Sequence, residues 1–445
     1  MRIAVINWSR RKVGGAEAYL GLTLSALSDA GHEVAFWYET DKPANREPIP
    51  LNAGVPTWSI DELGAERALE ALRRWQPDLI YSHGLLNPEV ETETLRIAPA
   101  VFSAHGYYGT CISGEKTFKN PTVTPCQRRF GWQCLLSYYP RRCGGLNPVT
   151  MLKLYGVQSR RLSLLREYRA VLTHSFHMRE EYIKHGLPAE RVHALSYYVQ
   201  SGVKKSQLFP QTPAFDAPPH IFLDSRVAPR PLHEDRYHIL FTGRIDRLKG
   251  GRTLLEALPR VAVRLNRPLQ VTFAGDGPDR AAWERRAKRV QRRVDAIQIN
   301  FTGWASRDEL NSLLAASDLL VFPSQWPEPF GLVGPEAGFY GVPVAAFAVG
   351  GISDWLIDGV NGHLAPGHPP TADGLADAIV KCLADPATHA RLSRGALDLA
   401  QRFSMKNHLT ALVEIFESVL RQKPEPSLTR EPRLASVAGA ERYGK

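Results

Sequence analysis

Two glutamates bracket a glycine-bearing loop in Glu328-Pro329-Phe330-Gly331-Leu332-Val333-Gly334-Pro335-Glu336, with seven residues between them. The stretch follows an apolar strand pattern at residues 319–323 and leads into a helix predicted to begin near Pro335. Backbone amides and a helix amino terminus can therefore face an anion. Both carboxylates cannot face that anion too, but each can accept hydrogen bonds from sugar hydroxyls on either side of it. A nucleotide sugar has that layout of ribose, diphosphate and sugar. A departing diphosphate needs cations, and the turn Gly243-Arg244-Ile245-Asp246-Arg247-Leu248-Lys249-Gly250 offers Arg244 and Lys249. Arginine gives a planar fork and lysine a compact charge, and the pair could replace a metal ion. No Asp-x-Asp metal-binding signature stands in a suitable loop. Taken alone, the turn reads as solvated surface; paired with the carboxylate loop, it reads as a grip on the diphosphate.

These residues need rigid supports. Twice the chain shows a short apolar strand, a glycine-rich turn and an amphipathic helix, the unit of doubly wound parallel sheets. The first runs from residues 2–7 through Gly14-Gly15 into a helix closed by Gly31; the second runs from residues 238–242 through 243–251 into a helix over 253–265. Further buried-strand patterns follow each unit, which predicts an α/β protein of two Rossmann-like domains facing a central cleft. The domains are predicted at 1–200 and 237–402, with a proline-rich connection over 201–236, a helix over 404–422 and a disordered tail over 423–445. Two such sheets in tandem bind ligand at the carboxyl ends of their strands.

Composition agrees with this scale. The 445 residues, 44% hydrophobic and 22% charged, exclude a disulfide-stapled module, a fibre and a disordered chain. A formal charge of +10 favours acidic ligands, nucleic acid or anionic membrane, and residues 101–200 hold 14 basic side chains against 5 acidic ones. A second basic run, residues 280–293, reads as a solvated amphipathic helix rather than a nucleic-acid stripe. The apolar run at the amino terminus is too short for a signal peptide, and the longest uncharged stretch is broken by glycine and proline. A cytoplasmic location follows as an expectation, with any membrane contact peripheral, at the inner face.

Cys111, Cys126, Cys134 and Cys143 lie close together, while Cys382 stands apart. The four could hold a structural zinc, although none has the Cys-x-x-Cys form; reduced thiols packed in a loop read equally well, and disulfides are a third option. The same insert, about residues 106–148, interleaves Tyr107, Tyr108, Phe118, Phe130, Trp132, Tyr138 and Tyr139 with lysines and arginines. It could bind an acceptor beside an anionic membrane surface, or form a basic lid whose aromatics make their own small core. His105 and His83 each follow an apolar strand, which puts their rings at the cleft rim.

The double-glutamate motif resembles that of retaining glycosyltransferase family 4. So do the Gly-Arg to Lys-Gly turn, Ala274-Gly275-Asp276-Gly277-Pro278, Pro323-Ser324, Gly350-Gly351 and Gly359-x-Asn361-Gly362. Gly14-Gly15-Ala16-Glu17 and Gly31-His32-Glu33-Val34 are similar to that family's opening. The resemblance implies the GT-B fold, with the donor on the second domain and the acceptor on the first. It places Glu336 on the ribose, Glu328 on the hydroxyls of the transferred sugar, and the amides of Phe330, Gly331 and Leu332 on donor phosphate and sugar. Arg244 and Lys249 would grip the diphosphate, Gly14 and Gly15 would admit it, and His105 would lie beside the sugar, with His83 on the acceptor side. Base contacts would fall near residues 302–304 and 323–325. The helix after Ser404 resembles the segment that returns to the first domain.

The expected activity is transfer of a sugar from a nucleotide-diphosphate-sugar to a glycan or lipid-linked acceptor in cell-envelope or exopolysaccharide synthesis, with no cofactor required. No nucleic-acid partner is expected. A nucleotide-sugar epimerase or hydrolase on the same fold is the alternative.

Overall fold

The computed structural model describes residues 1–199 and 232–422, and every structural statement below concerns those residues. Most of the expected connection, and all of the expected tail, lie outside them.

Two parallel sheets dominate. The first contains β1 (Arg2–Ser9), β2 (Glu33–Thr40), β3 (Thr57–Ser59), β4 (Leu79–Ser82), β5 (Ala100–Ala104), β8 (Ala170–Thr173) and β9 (Val192–Ala194), in the order β3-β2-β1-β4-β5-β8-β9. A separate two-stranded ribbon, β6 (Thr117–Phe118) with β7 (Thr124–Pro125), sits in the insert. The second sheet contains β10 (Tyr237–Thr242), β11 (Leu269–Ala274), β12 (Ile297–Gly303), β13 (Leu319–Phe322), β14 (Val344–Phe347) and β15 (Gly362–Ala365). Its order is β12-β11-β10-β13-β14-β15. The α/β architecture and the two Rossmann-like units are as the sequence predicts.

The strands are apolar on both faces because helices cover both sides. On β1 the alternation is explicit: Ala4 and Ile6 join Trp37, Ile80 and Phe102 on one face, and Ile3 and Val5 join Phe36, Tyr81 and Val101 on the other. Leu412, Phe416 and Val419 of the helix Met405–Arg421 complete that second face. This helix follows the second domain in sequence and packs on the first. The second sheet builds its own core around Phe241, Leu258, Phe273, Val321 and Ile379.

Strand order places the chemistry. In each sheet the chain starts on a central strand and reverses direction beside it, β1 against β4 and β10 against β13. The carboxyl ends of those strands carry Gly14 and Gly15, the Lys249 turn, and the loop after β13. Several contacts join the two domains there. Tyr107 Oη donates to Pro327 O at 2.7 Å, the Phe176 amide donates to the Asp354 carboxylate, and the Tyr197 and Phe330 rings meet at 5.7 Å.

Candidate active site

The loop after β13 is held open by its neighbours. Gly331 has φ +91°, and a Cβ there would press to 2.9 Å from the Phe322 ring, so only glycine fits. The Gly351 amide donates to Glu328 O at 2.7 Å, and Gly350, at φ +58°, lies so close to the Glu328 backbone that a side chain would collide with it. The Gly-Gly pair is thereby a backbone clamp on Glu328. The amides of Gly331 and Leu332 have no acceptor among the described residues.

The two carboxylates sit at opposite ends of this loop, each tied by one oxygen. Glu328 is buried; its Oε1 accepts from Lys249 Nζ at 2.6 Å and from Ser324 Oγ at 2.5 Å. Lys249 rides above the Phe322 and Trp326 rings at 5.7 and 5.5 Å, which holds its ammonium in place. Its position is fixed from below by Asp246, whose carboxylate accepts from the Leu248 and Lys249 amides. Glu336 Oε1 accepts from Arg307 at 2.7 Å. In both glutamates Oε2 is left without a protein partner, the oxygen a ligand hydroxyl would use.

Arg244 is placed differently. Its side chain is 70% exposed and only 3.5 Å from Asp246, so it reaches into solvent from the same turn that fixes Lys249. Across the cleft, Gly14 precedes the helix Gly15–Asp29 and its amide donates to Glu17 Oε2 at 2.8 Å. A Cβ on Gly15 would meet Leu332 at 3.8 Å, an ordinary contact. Neither glycine has a positive φ or a crowded Cβ. The fold itself does not require glycine there, whereas a ligand approaching the backbone would.

His105 stands in a stack of rings. It lies 5.0 Å from His83 and 5.0 Å from His174, nearly parallel to both, while His174 stacks on Tyr197 at 3.7 Å. Both of its nitrogens are engaged, Nε2 with His83 Nδ1 at 2.6 Å and Nδ1 with the Tyr197 hydroxyl at 2.5 Å. His83 Nε2 is sealed and unpartnered. An orphan N–H costs more than an orphan lone pair, which assigns the proton to His83 Nδ1, donating to His105, and a second proton to His105 Nδ1, donating to Tyr197. Burial pushes His105 down to about 3 and His408 to about 4. His83 and His174 are lowered by burial first and by His105 second. The four imidazoles are neutral, and the two strand-end histidines form one hydrogen-bonded unit.

Each half of the chain matches a family model. Residues 13–197 match Glycosyltransferase Family 4 and residues 226–398 match Glycosyl transferases group 1. The chain belongs among the GT-B glycosyltransferases. A D-inositol 3-phosphate glycosyltransferase of Xylanimonas cellulosilytica is 32% identical over 241 residues, a stretch that spans about half of each protein, 54% in both cases. A glycogen synthase of Mycobacterium tuberculosis is 26% identical over 474 residues, covering 99% of both chains. Among solved structures, HepE of Anabaena in complex with UDP and glucose superposes with a TM-score of 0.60 at 18% identity, covering 94% of this chain and 100% of that one. Sucrose-phosphate synthase from Thermosynechococcus elongatus gives 0.61 at 21% identity, covering 94% and 99%. At these identities the structures support the shared fold.

In this glycosyltransferase the insert cysteines are free thiols, each with its own neighbours. Cys111 Sγ accepts from the Lys116 amide, Cys134 donates to Arg129 O and Cys143 to Ser137 O. Among the described residues no three His, Cys, Asp or Glu side chains are grouped to hold a metal ion as they stand, while Cys111, Cys126 and Cys134 all lie near enough to act on the Cys143 thiol, which burial first and these neighbours second push up to about 12. Cys143 joins Ile112 and Tyr138 in a small core packed by Phe118, Phe130 and Tyr139. The buried Lys116–Glu181 ion pair pins this core to the helix Phe176–Lys184.

Sequence reasoning passed over Arg307, Trp326, His174 and Tyr197. Arg307 opens a helix behind a Ser306/Glu309 capping box, and nothing in its local pattern points at Glu336. A groove of about 980 Å³ lies beside the site between insert residues Pro121 and Val123 and the arginines 247, 252 and 286. Gly250 and Gln325 border it, but neither Glu328 nor Glu336 does. No helix among the described residues is long and apolar enough to cross a membrane.

Proposed function

We propose that this protein is a retaining glycosyltransferase that moves a sugar from a nucleoside-diphosphate-sugar to a hydroxyl of a glycan or lipid-linked acceptor, in cell-envelope or exopolysaccharide synthesis. The observation that carries the reading is the pair of half-tied carboxylates. Glu328 and Glu336 stand at the two ends of one loop, each with one oxygen held by protein cations or hydroxyls and the other open. The open oxygen of Glu336 would accept from the ribose, and that of Glu328 from the transferred sugar. The free amides of the loop between them would face the diphosphate.

Lys249 has three ammonium hydrogens and spends one on Glu328, which leaves two for the departing diphosphate. Arg244, extended into solvent, would fold onto the same group. Cleavage of the bond between the anomeric carbon and the diphosphate sends the electron pair to the phosphate oxygen, and these cations stabilise it without a metal. The acceptor oxygen then bonds to the anomeric carbon from the side the diphosphate leaves, retaining configuration, and its proton passes to the leaving group. UDP in the superposed HepE complex supports this donor class, and the names of the sequence relatives support glycosyl transfer.

The test is a thermal-shift panel of UDP-, GDP-, ADP- and dTDP-sugars in EDTA, on the wild type and on Glu336→Ala. A ligand at a hundred times its dissociation constant adds about 2.7 kcal/mol of stability. One nucleotide class should stabilise the wild type and lose most of that effect in the variant. Stabilisation by no nucleotide sugar, or an equal shift in both proteins, would overturn the donor assignment.

A further inference from the structure

The insert carries a surface that the transfer reaction does not use. Trp132 is 63% exposed, Leu136 67%, Leu146 78%, Val149 71% and Leu152 59%. These five are more than a third of the fourteen large hydrophobic residues exposed on the described molecule, and they fall within 21 consecutive positions. Scattered exposed leucines need no explanation, but a cluster of this kind does.

Local geometry gathers them. Trp132 and Leu136 are four apart on and just before the helix Gln133–Tyr138, and Val149 and Leu152 are three apart on the helix Pro148–Leu164. Each pair therefore shares a helix face. The two helices pack on each other, and Leu146 lies on the short link between them. The insert's core sits on their other side, where Tyr138, Met151, Leu154 and Tyr155 meet Phe118 and Phe130. The apolar side chains that face outward are thus extra to the fold.

Charge completes the pattern. Residues 116–166 contain ten lysines and arginines and no aspartate or glutamate. Arg128, Arg129, Arg141 and Arg142 are exposed, and among the described residues no carboxylate pairs with any of them. Exposed aliphatic side chains in a segment whose arginines no carboxylate neutralises suit a bilayer interface, where the former enter the acyl boundary and the latter meet anionic headgroups. A nucleic-acid groove would favour stacked aromatics over exposed leucine and valine.

We propose that the outward face of this insert docks on an anionic phospholipid bilayer. The docking is independent of the donor site, and it would hold the cleft at the membrane because the insert begins at Tyr107, whose hydroxyl bonds Pro327 beside Glu328.

Flotation of the full chain with vesicles tests this, using phosphatidylcholine alone and a 70:30 mixture with phosphatidylglycerol. The wild type should float with the mixture, not with phosphatidylcholine alone, and less so as salt rises. Leu136→Ser/Val149→Ser and Arg141→Gln/Arg142→Gln should each lower partitioning by roughly tenfold or more. The replaced side chains are exposed, so circular dichroism and melting should match the wild type. No flotation of the wild type, or equal flotation of all three proteins, would overturn the proposal. So would retention on DNA or RNA without vesicle binding, or a dimer that Leu136→Ser/Val149→Ser splits while vesicles remain unbound.

Discussion

Gly15 and Glu328 mark two ways a residue can be constrained. Glu328 is fixed by the protein: its backbone is clamped by Gly351 and its carboxylate by Lys249 and Ser324. Gly15 has open space around it, with Leu332 at an ordinary 3.8 Å from where a Cβ would stand. Gly15→Val should therefore fold with a melting temperature within a few degrees of the wild type, since surface changes usually cost within about 0.5 kcal/mol. Its nucleotide-sugar affinity should fall by an order of magnitude or more, read by titration calorimetry. Unchanged affinity would remove Gly15 from the donor site. The glutamates, Lys249 and Gly15 were legible in the sequence because a strand, a turn and a helix start fix their place locally. Arg307 was not, because its role comes from two helices of the second domain meeting in space. The two histidines were legible as strand ends but not as a pair, since β4 and β5 become neighbours only in the folded sheet.

At the scale of elements, β4, β5, β8 and the helix Met405–Arg421 deliver His83, His105, His174 and His408 to one buried cluster around Tyr19. All four imidazoles are held below their ordinary value by burial. The unfolded chain takes up protons near pH 6.5, while in the fold His408 stays neutral until about pH 4 and His105 until about pH 3, with His83 and His174 lowered in the same direction. Between those limits the unfolded state binds more protons, so stability falls as pH falls, by at most about 1.4 kcal/mol per pH unit for each imidazole. Urea midpoints at pH 7, 6 and 5 should decline steadily, and His408→Gln should flatten the decline. A flat profile in the wild type would mean the cluster admits protons. The strands themselves were readable as short apolar runs, two of them leading into glycine-rich turns. The helices Gln133–Tyr138 and Pro148–Leu164 were not, because the insert's aromatic and basic residues mask any apolar period.

For the whole molecule, the two domains meet through several contacts, and one of them is adjacent to the chemistry. Tyr107→Phe removes the bond to Pro327 O and leaves a buried carbonyl unpaired, at a cost of about 1 to 3 kcal/mol. That cost falls on the docked arrangement of the domains rather than on either core. Turnover should drop by at least several-fold while the melting temperature moves little, and equal losses in both would assign Tyr107 to the core instead. The helix Met405–Arg421 ties the domains in another way. Leu412, Phe416 and Val419 finish a face of the first sheet, yet they follow the whole second domain in sequence. During synthesis the first sheet leaves the ribosome with that face only partly covered, by Leu20, Leu24 and Leu27 of the helix Gly15–Asp29, and it stays so until the second domain has emerged. The first domain to be made is the second to be finished, and its uncovered strands are the surface a chaperone would need to shield meanwhile.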